Sequence, residues 1–182
     1  EYDDTMYKKI QTELIMANEG ETIYLPKGKH RIIRSLWGEN LSNVTLAGQG
    51  IDETILSFES QIEGAEGIKI INSKNITLKN FTIEDSKGDL IKVEDSKNIN
   101  FINIKAQWSN GPKESNGSYA LYPVKSENIL VDGCIAIGAS DAGIYVGQSK
   151  NIIVRNSEAY NNVAGIEIEN SLTPEVWLKR EL

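Results

Sequence analysis

Cysteine occurs once in these 182 residues and histidine once, so an internal disulfide and a Cys/His metal site are both excluded. Cys134 falls at an inward repeat position and reads as a small buried hydrophobe rather than a nucleophile. Basic residues are outnumbered, 19 Lys and Arg against 26 Asp and Glu, for a net charge of -7, and no Lys/Arg cluster is present to track a phosphate backbone. Nucleic acid is therefore not an expected partner. No apolar run approaches the roughly 18 residues needed to cross a bilayer, so no membrane is expected either. The start, Glu-Tyr-Asp-Asp, has neither an initiator Met nor a basic and apolar leader, and reads as a trimmed or processed soluble chain. Phosphate-cradling glycine motifs, Ser-His-Asp arrangements and metal-spaced His/Cys sets are missing, and no cofactor is expected.

What is present is repetition. Five segments match: Asn43-Val-Thr-Leu46, Asn75-Ile-Thr-Leu78, Asn98-Ile-Asn-Phe101, Asn128-Ile-Leu-Val131 and Asn151-Ile-Ile-Val154, at spacings of 32, 23, 30 and 23. In the last four a Ser stands two residues earlier, at Ser73, Ser96, Ser126 and Ser149, and Ser171 begins a sixth phrase. Alignment on the Ser puts Ile68, Ile91, Leu121, Ile144 and Ile166 in one column and Ile70, Val93, Pro123, Val146 and Ile168 in another. Apolar residues alternating with polar ones argue for strands. About 23 residues cannot hold strand, helix and return, so each unit must be one turn of a coil. The fold class predicted is all-β, a right-handed single-stranded parallel β-helix of five to six coils. Its repeated Asn is expected as a buried amide ladder, each rung bonded to the next.

Both ends need covers. Tyr7, Ile10, Leu14 and Ile15 fall at helical spacing after Asp3-Asp4-Thr5, which predicts a capping helix ending near Asn18-Glu-Gly20. Thr22–Leu25, the turn Pro26-Lys-Gly28 and Arg31–Ile33 read as the first strands. At the other end Thr173-Pro174 is a good helix start, which would let Val176, Trp177 and Leu182 close the solenoid; a disordered or foreign tail is the competing reading. One domain over 1–182 follows, with a cap at 1–20, coils at 21–171 and a cap or tail at 172–182. Self-association through the solenoid ends is a further expectation.

Three stretches carry a family resemblance: Gly20-Glu-Thr-Ile-Tyr-Leu-Pro-Lys-Gly28, Asn43-Val-Thr-Leu-Ala-Gly-Gln-Gly50 and Asp141-Ala-Gly-Ile-Tyr-Val-Gly-Gln-Ser149. Over about residues 5 to 171 the chain resembles bacterial right-handed β-helix proteins of the pectate-lyase-like superfamily, including the alginate C5-epimerase and copper-processing types of repeat. The resemblance implies a secreted or periplasmic protein, a lyase or epimerase on acidic polysaccharide. The Asp-Pro-His-Asp motif of the epimerases is absent, the lone histidine being His30. Relatives tend to have more coils, so the chain also resembles the front of a longer solenoid, truncated or engineered, and a scaffold without catalysis is the alternative.

Outward positions between the two inward columns give Lys69, Lys92, Tyr122, Tyr145 and Glu167 on one face, with Tyr119 beside them. That row is the candidate saccharide track: aromatic faces pack on sugar rings, and lysines meet carboxylates. The insertion Ser109–Gly117 enters the same strand and could wall the groove. Proton abstraction next to a uronate carboxylate needs a base and a cation, for which Lys113, Lys125, Asp141 or a tyrosine are the candidates. A Ca²⁺ cluster wants several oxygen ligands, and Asp132 and Asp141, on different coils, are only two.

Overall fold

The computed structural model describes residues 3–177. Successive strands climb one axis and pair in parallel with their equivalents one coil away. A six-stranded sheet runs, from the first coil to the last, through Arg34–Glu39, Glu63–Ile71, Ile91–Glu94, Tyr119–Val124, Ala142–Gly147 and Ala164–Glu169. An eleven-stranded sheet covers the rest, because Lys74–Glu84 and Lys97–Gln107 pass round a bend and serve two faces of the coil. The fold is a right-handed parallel β-helix.

Register places the aliphatic columns as the spacing requires: Ile68 pairs with Ile91, Ile91 with Leu121, Leu121 with Ile144 and Ile144 with Ile166. Ile68, Ile91, Leu121 and Ile144 are fully buried, as are Phe58, Phe81 and Phe101. At about 25 cal/mol per Å² of apolar surface removed from water, these stacks are the main source of stability.

The bend differs from expectation. The Asn ladder exists, with Asn98 Nδ2 donating to Asn75 Oδ1 at 2.7 Å, Asn128 to Asn98 at 2.8 Å and Asn151 to Asn128 at 3.0 Å, but its rungs are exposed rather than buried. The buried ladder is the serine. Ser73, Ser96 and Ser126 each donate a backbone N–H to the hydroxyl of the next Ser, at 3.0 to 3.1 Å, and each hydroxyl turns back to the carbonyl two residues earlier. Geometry explains the Asn: Asn43, Asn75, Asn98, Asn128 and Asn151 all hold φ between 54° and 58°, a left-handed conformation that asparagine tolerates better than other side chains. Asn98→Ala is therefore expected to cost about 1.5 kcal/mol, from the lost rung and the φ penalty together, whereas Asn98→Gly keeps the φ and should cost about half as much. Urea unfolding of the two variants measures the split.

Cys134 continues a second serine position: its N–H donates to Ser157 Oγ at 3.1 Å, and its thiol is pushed up to about 12 by burial. That is the inert packing role read from the sequence.

The N-terminal helix spans Thr5–Met16 and buries Ile10 and Leu14 over the first coil, while Ile15 points to solvent, off the packed face. Asp4 holds the N-cap position without a side-chain cap bond, while Asp3 Oδ1 accepts from the Thr5 N–H at 3.1 Å. Gln11 closes the open edge of the six-stranded sheet: its amide donates to Trp37 O at 2.9 Å and accepts from Trp37 N at 2.8 Å, as a neighbouring strand would.

At the other end the capping helix is replaced by a strand, Leu172–Trp177, paired with Lys150–Arg155. Ladder chemistry outweighs the local Thr-Pro signal. Ser171 Oγ accepts from Ser149 N, and Thr173 takes the asparagine position at φ 50° and donates to Asn151 Oδ1 at 2.8 Å. Val176 and Trp177 are exposed rather than closing the core, and Leu182 lies outside the described residues. No helix among the described residues is long and apolar enough to cross a membrane.

Candidate functional site

Each strand of the six-stranded sheet turns two residues inward and presents the one between them; the inward pairs from Ile68 and Ile70 to Ile144 and Val146 are buried, Gly38 takes one inward place in the first strand, and Ile166 and Ile168 are half-buried in the last. Register then sets Trp37, Lys69, Lys92 and Tyr122 one above another, and Tyr145 above Glu167. All are half-buried except Trp37, which is exposed. Trp37 is an addition to the row. Alignment on the Ser misses it because Leu41 occupies the serine position of the first coil, giving its N–H to Ser73 Oγ. Counting back six residues from each repeated Asn finds it.

Tyr119, three residues before Tyr122, closes an aromatic cluster. Its ring stacks on Tyr145 with centroids 4.3 Å apart and planes 20° apart, and lies 4.7 Å from Tyr122, while Tyr122 and Tyr145 meet edge to face at 5.3 Å. Two ammonium groups sit on aromatic faces: Lys92 Nζ is 5.2 Å from the Tyr122 centroid and Lys69 Nζ is 5.0 Å from that of Trp37. Each also has a carboxylate, Glu94 for Lys92 and Glu66 for Lys69, both at 3.9 Å.

Asp89, which the sequence reading passed over, stands at the centre. It holds the same offset before Lys92 that Tyr119 holds before Tyr122, and the Tyr119 N–H donates to its Oδ1 at 3.0 Å. Burial pushes its carboxyl up to about 6; the Tyr119 N–H and Lys92 pull the other way, and Glu66 adds to the rise. A carboxyl of that acidity exchanges its proton close to neutral pH, which is what proton transfer to or from a bound molecule requires. The signal was available in the alignment as a second column, Glu66, Asp89 and Tyr119, but the acidity depends on burial and was not.

The tyrosines are poor bases. Burial, then the nearby Asp141 carboxylate, raises Tyr119 to about 12; burial raises Tyr122; and Tyr145 is raised by donating to Glu169 Oε2 at 2.8 Å. They remain protonated at neutral pH and act as surfaces and donors.

The other sequence-derived candidates are distributed. Asp141 lies beside Tyr119, and Lys125 borders the face at its far edge, 3.7 Å from Glu94. Lys113 is exposed on the inserted loop, which Asn116 anchors to Gly111 O and Gly138 O, and it lines a separate hollow with Ser140, Asn161 and Val163. The three residues do not form one constellation. His30 is engaged with Pro26 O at 2.9 Å in the first coil, away from the row. A further hollow on the eleven-stranded sheet, lined by Asn98, Asn128, Leu130, Asn151 and Ile153, has Glu175 as its one titratable side chain and holds no acid–base pair. Among the described residues no group of three or more His, Cys, Asp or Glu comes together as a metal site.

A family model described as "Right handed beta helix region" matches residues 38–176. No curated protein matches the sequence. Three solved structures are similar. The catalytic domain of a GH87 alpha-1,3-glucanase in complex with tetrasaccharides is 16% identical over 82% of this chain and 34% of its own, with a TM-score of 0.47. This chain thus spans about a third of that domain. A pectin methylesterase in complex with a hexasaccharide is 11% identical over 95% of this chain and 67% of its own, with a TM-score of 0.48. The A-module of an Azotobacter vinelandii mannuronan C-5 epimerase is 13% identical over 92% and 70%, with a TM-score of 0.39.

Proposed function

The chain belongs to the right handed beta helix family, and from that premise we propose that it binds a polysaccharide along the outer face of its six-stranded sheet. One observation carries the reading: the packed cluster of Tyr119, Tyr122 and Tyr145, with Trp37 further along the same column beyond Lys69 and Lys92, so that aromatic surface recurs along the solenoid axis. Sugar rings stack on such surfaces through their C–H faces, and a row of them suits a polymer better than a single sugar. Because wall and matrix polysaccharides are met outside the cytoplasm, an exported location is part of the proposal. Replacing Tyr122 and Tyr145 together by Ala is expected to weaken polysaccharide affinity about tenfold or more, at roughly 0.5 to 1.5 kcal/mol for each aromatic contact. Affinity electrophoresis reads this directly, and an unshifted double variant would remove the aromatic row from the site.

Lyase or epimerase chemistry on a uronate is the finer reading. Asp89 supplies a group that moves a proton near neutral pH. The reaction also wants an ammonium free to meet the sugar carboxylate and hold the enolate. Lys69, Lys92 and Lys125 each already lie within 4 Å of a glutamate, at 3.9, 3.9 and 3.7 Å. Binding without that chemistry is the reading this face favours.

A further inference from the structure

We infer that the polymer taken by the six-stranded face is uncharged, a hydroxyl-rich hexose or pentose chain rather than a polyuronate or a polymeric amino sugar. The inference rests on the binding reading above and names its substrate class.

Charge on the face decides against an anion. Three ammonium groups, Lys69, Lys92 and Lys125, stand among six carboxylates: Glu66, Asp89, Glu94, Asp141, Glu167 and Glu169. Every one of the three cations has a glutamate within 4 Å, Glu94 serving two of them. A polyuronate brings a carboxylate on every sugar, and laid along this row it would meet an excess of like charge with no free counter-charge. The overall charge of -7 adds a repulsive field at longer range.

A cationic glycan is disfavoured for a different reason. Two of the four rings already carry one of the protein's own ammonium groups, Lys92 over Tyr122 and Lys69 over Trp37, so a ligand ammonium there would meet a like charge. What remains exposed suits neutral sugars. Stacked aromatic surface takes the C–H faces, and the carboxylates accept hydrogen bonds from hydroxyls, as Glu169 already does from the Tyr145 hydroxyl.

Affinity electrophoresis of the full chain through gels containing uncharged polysaccharides of several linkages (α- and β-glucans, mannan, xylan, galactan), chitosan, alginate or polygalacturonate tests this. Retardation by at least one uncharged polymer, with none by the polyuronates or chitosan, is the expected result. It should change less than about twofold between low and high salt, since screening acts on charge pairs and leaves stacking in place. Stronger retardation by a polyuronate or by chitosan than by every uncharged polymer overturns the substrate class and leaves the binding reading standing. Retardation by nothing in the panel overturns both. A second variant makes the electrostatic argument testable by gain: Glu94→Gln releases Lys92 and Lys125 together, and should raise retardation by polygalacturonate at least severalfold at low salt. If Glu94→Gln gains nothing on polyuronates, charge compensation is not what sets the class.

Discussion

Gly117→Ala is expected to destabilise the solenoid by about 3 kcal/mol or more and to abolish polysaccharide retardation at the same time. A Cβ at position 117 would lie 2.0 Å from the Gly88 carbonyl oxygen, 2.3 Å from its carbon and 2.8 Å from Trp108 Cζ2. Overpacking of a tight interior typically costs about 1 to 3 kcal/mol when side chains can adjust. Here the obstacle is backbone, and it has nowhere to go. Gly88 donates to Ala65 O at 2.6 Å on one side, Ser140 N donates to Gly117 O at 3.0 Å on the other, and Trp108 is fixed by its indole N–H on Ser86 O at 2.9 Å. Relief requires separating adjacent coils at the corner from which Asp89 and Tyr119 emerge. Their 3.0 Å hydrogen bond would be among the first to break. Gly111→Ala is the control: nothing lies within 4 Å of its Cβ, so only the φ of 84° penalises it, by about 1 kcal/mol. Urea unfolding should separate the two glycines clearly. Equal midpoints would mean that adjacent coils can part at Gly88 and Gly117 without cost.

Periodicity is a one-dimensional signal, and the aliphatic columns Ile68–Ile166 and Ile70–Ile168 are its direct image, so the coil and its strand faces were legible. The direction of each bend was not. Ser73 faces inward and Asn75 outward because two left-handed residues, Asn72 at φ 48° and Asn75 at φ 55°, bracket the serine and turn the chain twice. Spacing alone treats Ser and Asn alike, and the expectation that the amide is the buried partner inverted the pair. At the C-terminus the local Thr-Pro signal met a pre-formed edge. Leu172 N donates to Ser149 O at 2.9 Å, and Pro174 pairs with Ile152 much as Pro123 already sits inside a strand opposite Val93. An edge already offering ladder partners outweighs a helix of one or two turns, whose nucleation is unfavourable. In the site, the outward row followed from alternation, while Asp89 did not stand out. Its side chain is one of 26 acidic residues, and the burial that raises its carboxyl is not written in the repeat.

That burial yields a result of the opposite sign from most substitutions: Asp89→Asn should stabilise the protein at pH 7 to 8 while weakening its function. In the folded chain the carboxyl keeps its proton up to about pH 6, whereas unfolded it ionises around 3.8. Between those values the folded state binds the extra proton, so stability falls as pH rises through the window. The penalty is complete above about pH 6 and absent below about pH 4. Two pK units correspond to roughly 3 kcal/mol at most, and partial exposure reduces that to about 1 to 2 kcal/mol. Asparagine removes the titrating group and keeps an oxygen to accept from the Tyr119 N–H, so the bond at 3.0 Å survives. Denaturation measured at pH 3.5 and pH 8 should therefore show no gain at the lower value and a gain of that size at the higher one. A gain equal at both would mean that packing, not the proton, is responsible. The polar group that weakens the fold sits beside the tyrosine cluster, bonded to the Tyr119 N–H. Natural chains carry such a cost where activity needs it, and losing polysaccharide affinity while gaining stability is the pairing that assigns Asp89 to the site.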